Sequence, residues 1–185
     1  MPRCKRFGVL SFLLLSSLIA QATPFAGSLW FTGLQDGQAV ADYYQSDGIT
    51  FNGFYAVAGS YIYCLGTTET CSASVPSGGL MNVEPGFQIG LSFYFKSGSF
   101  GEVLLFDQLN GLGTQLADVT LPNALNEWEP FGFFFGGLAK SAVFNGSMEV
   151  AVLTMGGQMV VPEPGSVLLF VSGLCGLATT RLRKR

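Results

Sequence analysis

Two glutamates beside a tryptophan are the residues of this chain best suited to acid–base chemistry. Glu127 and Glu129 flank Trp128 in the stretch NEWEP. On a strand, residues two apart share a face, and paired carboxylates near an aromatic ring are typical of glycoside hydrolases. Pro130 limits strand pairing here, and adjacent carboxylates more often mark the solvated start of a strand. We predict no catalytic residue and keep glycan hydrolysis by Glu127 and Glu129 as the alternative.

Histidine is absent from the 185-residue chain. This excludes a Ser-His-Asp triad, a His-ligated zinc and imidazole acid–base catalysis. Asp107 could ligate calcium together with Asn110, because both side chains offer oxygen ligands. A turn in which the Asp107 carboxylate accepts a backbone N–H is the more frequent use of this pattern. We therefore predict no metal and no cofactor.

Cys64 and Cys71 are the two thiols in the central part of the chain, whereas Cys4 and Cys175 lie in its terminal segments. An even pair of cysteines in an oxidising compartment predicts a disulfide. Closing this small loop would stabilise the fold by about 2 kcal/mol. Redox catalysis would need the tighter C-x-x-C spacing.

Aromatic residues are frequent in the central part of the chain, and some have the chemistry of a sugar-binding face. Exposed Trp and Tyr rings stack on the C–H groups of pyranoses, while their N–H and O–H groups form hydrogen bonds. We select Trp30, Tyr44 and Trp128 as candidate glycan contacts. The alternative is that these rings pack in the core, because alternation on strands buries every second side chain.

Charge is low and unevenly distributed. Only 11% of residues are charged, against about 25% in ordinary soluble domains. Residues 23–161 hold eleven acids against Lys96 and Lys140, a net charge of −9, and both ends of the chain are basic. Phosphate recognition needs clustered Lys and Arg, so we predict no nucleic-acid partner.

The first 22 residues have the three parts of a secretory signal peptide. A cationic start precedes an apolar run over 7–20, and Ala20 and Ala22 bracket Gln21 in an A-x-A cleavage pattern. The apolar run is shorter than the ~20 residues of a spanning helix. We predict export through the Sec translocon and cleavage by signal peptidase after Ala22.

The other end combines a Pro-Glu-Pro triplet, a short apolar stretch and a basic tail. Pro162, Glu163 and Pro164 precede an apolar stretch at 167–178. The prolines keep the triplet extended and prevent the helix from continuing backwards. The helix predicted over 166–180 would be about 22 Å long, short for a ~30 Å hydrocarbon core. The tail, which the positive-inside rule places on the cytoplasmic side, is formed by Arg181, Arg183, Lys184 and Arg185.

These three elements, in this order over residues 161–185, resemble the PEP-CTERM sorting signal of exported proteins in Gram-negative bacteria that make exopolysaccharide. The resemblance implies recognition by an exosortase, a membrane-embedded cysteine protease and transpeptidase, with removal of the tail at or near Pro162, Glu163 and Pro164. It also implies that the chain is transiently anchored in the inner membrane and then reaches the cell surface or the extracellular space.

Residues 23–160 are predicted to form an exported all-β domain. Short apolar runs alternate with Gly, Asn, Asp and Pro every 8–12 residues, and Asp-Gly and Asn-Gly pairs supply turns. This pattern favours an antiparallel β-sandwich, jelly-roll-like in form. The predicted strands are 28–32, 40–44, 49–57, 60–65, 87–96, 100–107, 114–121, 129–135, 141–145 and 148–155.

The central part also resembles the lectin-like or carbohydrate-binding jelly rolls that precede PEP-CTERM tails. The matching motifs are L-x-D-G at 34–37, Tyr44 with G-I-T-F at 48–51, the glycine-rich segment 106–116, and the stretch from Trp128 to Val143. Such domains often close with an Ile-Asp-Asn strand. Here 151–155 reads AVLTM, so a structural calcium site that relies on that Asp is not expected.

Together these patterns predict a non-enzymatic surface or extracellular-matrix protein, sorted by an exosortase. The exported domain is predicted to be structural or to bind extracellular polysaccharide, as in a biofilm matrix.

Overall fold

The computed structural model describes residues 23–61, 64, 69–124 and 127–156 of the chain. Eleven strands in this part form two antiparallel sheets that pack face to face. The prediction of an all-β sandwich is confirmed. The strands are β1 (Gly27–Leu29), β2 (Ile49–Asn52), β3 (Tyr55–Ala58), β4 (Thr70–Val75), β5 (Gly79–Phe87), β6 (Gly90–Lys96), β7 (Gly101–Phe106), β8 (Gln115–Leu121), β9 (Glu129–Phe134), β10 (Ala139–Asn145) and β11 (Met148–Met155).

The first sheet has six strands in the order β3-β4-β11-β6-β9, with β1 also paired to β11. β4 pairs with the first half of β11, and β1 pairs with residues 153–155. The second sheet has five strands in the order β2-β5-β10-β7-β8. A short 3-10 turn at Gln45–Asp47 precedes β2, and another at Leu109–Gly111 connects β7 to β8.

Aromatic side chains fill the space between the sheets. In β7, Val103 and Leu105 are fully buried while the alternate residues Glu102, Leu104 and Phe106 are partly exposed, as the two-residue period of a strand requires. Phe93 of β6 meets Phe144 of β10 edge-on, with 5.6 Å between ring centroids. The rings therefore join the two sheets, in the arrangement that aromatic pairs prefer.

Two predicted strands are wrong. Residues 40–44 form a turn, in which the Tyr43 N–H donates to the Val40 carbonyl at 2.9 Å. In the predicted strand 60–65, the described residues Ser60, Tyr61 and Cys64 are not in a strand, and the Cys64 N–H donates to the Tyr61 carbonyl at 2.8 Å. Val40 and Tyr44 pack against the main core, and Tyr61 and Cys64 belong to a smaller cluster, in each case without being part of a strand.

Two strands, β4 and β5, were not predicted because their sequences lack a clear apolar pattern. β4 reads TCSASV and β5 reads GLMNVEPGF, so small, polar, Gly and Pro residues concealed their strand character. The single strand predicted over 49–57 is divided at Gly53, whose φ of 77° turns the chain. A Cβ there would lie 2.6 Å from the Gly78 carbonyl oxygen, so only glycine fits.

Both ends of the described domain lie at the same end of the sandwich. Gly27 pairs with Met155, and the Phe25 N–H donates to the Gly86 carbonyl at 2.7 Å. The predicted signal peptide, the Pro-Glu-Pro segment and the apolar stretch that follows it lie outside the described residues. Within the described part, no helix is long and apolar enough to span a membrane.

Candidate functional site

Four side chains form a row across the outer face of the first sheet, the face turned away from the second sheet. The register places Tyr55 beside Ser74, Ser74 beside Glu149, and Glu149 beside Lys96. Their neighbours along each strand point into the core, so these four point outward. We call Tyr55, Ser74, Glu149 and Lys96 the polar row. It crosses three strand spacings, about 14 Å.

The charged half of the polar row is held by one serine. The Lys96 Nζ lies 3.2 Å from the Glu149 Oε1, and it donates to the Ser60 Oγ at 3.2 Å. The Ser60 hydroxyl in turn donates to the Glu149 Oε2. The Lys96 and Glu149 side chains are each 24% exposed, so a ligand on this face can reach both charges.

Trp128 extends the polar row beyond Lys96. Its Nε1–H donates to the Ser60 carbonyl at 2.9 Å, and the Lys96 Nζ lies 5.4 Å from its ring centroid, within cation–π range. Tyr55, 43% exposed, stands at the opposite end of the row. The face thus has an aromatic ring at each end and hydrogen-bonding groups between them.

A pocket of about 150 Å³ opens beside the polar row. Ser74, Lys96 and Glu149 lie on its wall together with the Ser97–Gly98 and Ser147–Met148 segments. The pocket is small and polar, which suits hydroxyl groups better than a large apolar ligand.

A second, smaller hydrophobic cluster, which we call the outer cluster, lies on this same face next to the polar row. In β11 the backbone bulges at Val152, whose φ is 48°, and the pairing with β6 shifts register there. Such a bulge allows consecutive side chains to share one face, and both Ala151 and Val152 belong to the outer cluster. The other members are Tyr61, Cys64 and Cys71, with Tyr94 and Trp128 packed against them.

The structure joins Cys64 and Cys71 in a disulfide, with Cα atoms 6.2 Å apart. We expect the Cys64→Ser/Cys71→Ser variant to lose about 2 kcal/mol of unfolding free energy and to loosen the segment that carries Ser60. Urea denaturation of both proteins measures the loss, and alkylation without reductant counts free thiols in the wild type. Two alkylated thiols in the wild type, or equal stabilities, would contradict the role given to this bridge.

Tyr44 lies apart from the polar row, partly buried against the core. Its ring packs edge-on to Phe31 and Phe51, with centroids 6.2 and 6.0 Å away. Burial raises the pKa of the Tyr44 hydroxyl to about 12, because desolvation disfavours the phenolate. Trp30, 43% exposed, follows the end of β1. Of the three candidate glycan contacts, only Trp128 borders the polar row.

Glu127 and Glu129 do not share a strand. β9 begins at Glu129, and Glu127 sits before it in a bend, where its N–H donates to the Ala124 carbonyl at 2.7 Å. Both glutamates are exposed. The strand geometry on which the hydrolase alternative depends is therefore absent at this pair.

Asp107 closes a turn. Its Oδ1 accepts the Thr114 N–H at 2.7 Å, while Asn110 exchanges two hydrogen bonds with Asn82, at 2.7 and 3.0 Å. Both side chains thus have protein partners. Among the described residues, no group of three or more His, Cys, Asp or Glu side chains is placed to hold a metal ion.

Sequence reasoning did not select Ser74, Lys96, Glu149 or Ser60 for the site. The strands that carry Lys96 and Glu149 were predicted, but these two residues are 53 positions apart, and nothing local indicates that β6 and β11 are neighbours. The scarcity of lysine was the available signal, because residues 23–161 hold eleven acids and only two cations, Lys96 and Lys140.

No protein-family model and no curated protein matches this sequence. Among solved structures, a family 6 carbohydrate-binding module is 12% identical, with 58% of this chain and 86% of that chain covered and a TM-score of 0.43. A β-1,3-glucan-binding family 6 module from Bacillus halodurans is 16% identical over 58% of this chain and 89% of its own, with a TM-score of 0.42. An arabinose-bound α-L-arabinofuranosidase is 13% identical over 71% of this chain and 26% of its own, with a TM-score of 0.47. Similarities at these TM-scores do not indicate which ligand this chain binds.

Proposed function

We propose that this chain is an exported, non-catalytic surface or matrix protein whose sandwich binds glycan through the polar row and Trp128. The observation that carries the proposal is the row itself. It places carboxylate, ammonium and hydroxyl groups between two aromatic side chains on an open sheet face. Sugar hydroxyls form strong hydrogen bonds with charged groups, and the C–H faces of pyranoses pack on aromatic rings.

The charge of the domain favours a neutral glycan. Lys96 is already paired with Glu149 at 3.2 Å, and residues 23–161 carry a net charge of −9. A polyanionic chain would meet repulsion over most of the surface. An acidic polysaccharide would need bridging cations to reach the row.

Affinity electrophoresis tests the binding proposal directly. The purified domain is run in native gels that contain a neutral glucan, an acidic uronan or no polymer. We expect retardation in a neutral polymer and little change in the uronan at low salt. Equal mobility in every gel, including gels loaded with the extracellular polysaccharide of the producing cells, would refute glycan binding.

We also propose the route by which the protein reaches its site of action. The Sec translocon and signal peptidase process residues 1–22, the apolar stretch at 167–178 holds the chain in the inner membrane, and an exosortase acts at Pro162, Glu163 and Pro164. The order of these elements in the sequence supports this route. Intact mass of extracellular protein tests it: a C-terminus near 161–163 is expected, and retention of Arg185 in all of it would contradict sorting.

The arrangement of strands supports a jelly roll as the finer description of the fold. From β4 to β7 each connection passes from one sheet to the other, and so do those from β8 to β11. This alternation is typical of jelly rolls, in which successive strands belong alternately to the two sheets.

Hydrolysis by Glu127 and Glu129 is the alternative function. We expect the Glu127→Gln/Glu129→Gln variant to bind polysaccharide as the wild type does, because neither carboxylate belongs to the polar row. Reducing-end release from the same polymers is the assay. Turnover by the wild type that the double variant loses would replace our proposal with the hydrolase.

A further inference from the structure

Two exposed apolar side chains occupy neighbouring positions where the chain leaves the sandwich. Phe134, 69% exposed, pairs with Gly90 across β9 and β6, and Ile89, 54% exposed, precedes Gly90. The Gly90 carbonyl also accepts the N–H of Gly156, the last described residue, at 3.3 Å. We call Ile89 and Phe134 the exit patch. It lies about two strand spacings, ~10 Å, from the exit of the chain.

Folding does not explain the side chain at position 89. Ile89 has a φ of 76°, in the left-handed region that β-branched residues rarely adopt. Its side chain gains little from packing, since more than half of it is exposed. Glycine would relieve the strain without loss of core contacts. An exposed isoleucine in a strained turn therefore points to a role outside the fold.

The end of the sandwich around the exit patch is built from uncharged segments. No Asp, Glu, Lys or Arg occurs in the four stretches that meet there, although the domain as a whole is strongly acidic. These stretches are 23–35, 85–95, 130–139 and 150–156. Contact of these four stretches with an apolar surface would bury no charged side chain of their own.

The length of the remaining chain limits where this end can lie. Twenty-nine residues follow Gly156, and the apolar stretch 167–178 begins after a ten-residue linker. Ten residues span at most about 35 Å when fully extended. Once the apolar stretch enters a membrane, Gly156 can lie no further than about 35 Å from the lipid surface, so the exit patch is within reach of it.

We propose that the exit patch inserts into the boundary between lipid headgroups and acyl chains while the chain is membrane-anchored. This proposal rests on the membrane step of the proposed function. Apolar side chains at that depth add to membrane affinity without spanning the bilayer. Glu149 lies six residues from Met155 along β11, about 20 Å, so the polar row is held away from the membrane and open to glycan.

Quenching by brominated lipids tests the contact. The full chain, made in a host without an exosortase, is reconstituted into phosphatidylethanolamine–phosphatidylglycerol vesicles with brominated acyl chains. Phe134→Trp is compared with Phe100→Trp, both in a Trp30→Phe/Trp128→Phe background, because Phe100 is 73% exposed in the β6–β7 connection at the opposite end of the sandwich. We expect the tryptophan added at 134 to be quenched at least about twofold more than the one at 100.

A further substitution separates lipid contact from folding. Adding Ile89→Gly to Phe134→Trp should leave the fold intact, since glycine accepts this backbone conformation, and should lower the quenching. Equal quenching at 134 and 100, or no effect of Ile89→Gly, overturns the exit patch. A concentration-dependent blue shift without lipid also overturns it, because a second copy then covers the patch.

Flotation of the same vesicles distinguishes the two proposals. A chain that does not float with lipid shows that the membrane step itself fails, and the exit patch fails with it. A chain that floats while the tryptophan at 134 stays unquenched leaves the membrane step standing and refutes only the exit patch.

Discussion

Replacing Trp128 with alanine should weaken glycan binding by about thirtyfold, the effect of losing about 2 kcal/mol from an aromatic contact with the ligand. The ring closes one end of the polar row, and its Nε1–H holds the Ser60 carbonyl at 2.9 Å. Ser60 in turn positions Lys96 and Glu149. The substitution therefore removes a stacking surface and loosens the charged pair. Affinity electrophoresis over a range of polymer concentrations measures the loss.

Two matched variants separate these effects. Trp128→Phe keeps a ring but loses the hydrogen bond to Ser60, so we expect intermediate binding. Phe100→Ala removes an aromatic that is 73% exposed and lies outside the row, and binding should not change. If Trp128→Ala bound as tightly as the wild type, or if Phe100→Ala lost as much, the ligand would contact another surface.

Replacing Phe144 with alanine should cost about 3–5 kcal/mol of stability. The ring is fully buried and packs edge-on to Phe54 at 5.4 Å and to Phe93 at 5.6 Å. Its removal leaves a cavity between the sheets that these rings cannot fill by small movements. Small domains have about 5–15 kcal/mol in total, so the variant should unfold at much lower urea concentration.

Phe134→Ala is the control for this loss. Phe134 is 69% exposed on the edge strand β9, and surface substitutions of this kind usually change stability by less than about 0.5 kcal/mol. Comparable urea midpoints for Phe144→Ala and Phe134→Ala would mean that the core is not where the structure places it.

The fold class could be predicted because it depends on local patterns. Buried and partly exposed residues alternate along β7 and β10. Turn glycines such as Gly48 and Gly146 have φ of 73° and 101°. Both features can be recognised from a few consecutive residues of the sequence. β4 was missed because its buried residues Thr70 and Ser72 are polar. These residues are buried because β4 pairs with β3 and β11. No local sequence pattern reveals the pairing with β11.

The candidate site was predicted only in part for the same reason. Trp128 was selected by residue type, which is a local property. Its partners Ser60, Lys96 and Glu149 come together through the pairing of β6 with β11 and through the segment that the disulfide ties down. Tyr44 was selected by the same criterion as Trp128, yet it packs against Phe31 and Phe51. Composition alone cannot distinguish a core ring from one at a binding face.

Hydrogen–deuterium exchange with and without a bound neutral polysaccharide tests the central claim most directly. If the outer face of the first sheet binds glycan, protection should increase in β3, in the first half of β11, at the end of β6 and around Trp128. The exit patch at Ile89 and Phe134 should exchange as before. Protection confined to the outer face of the second sheet, or none at any polymer concentration that retards the protein, would contradict the account.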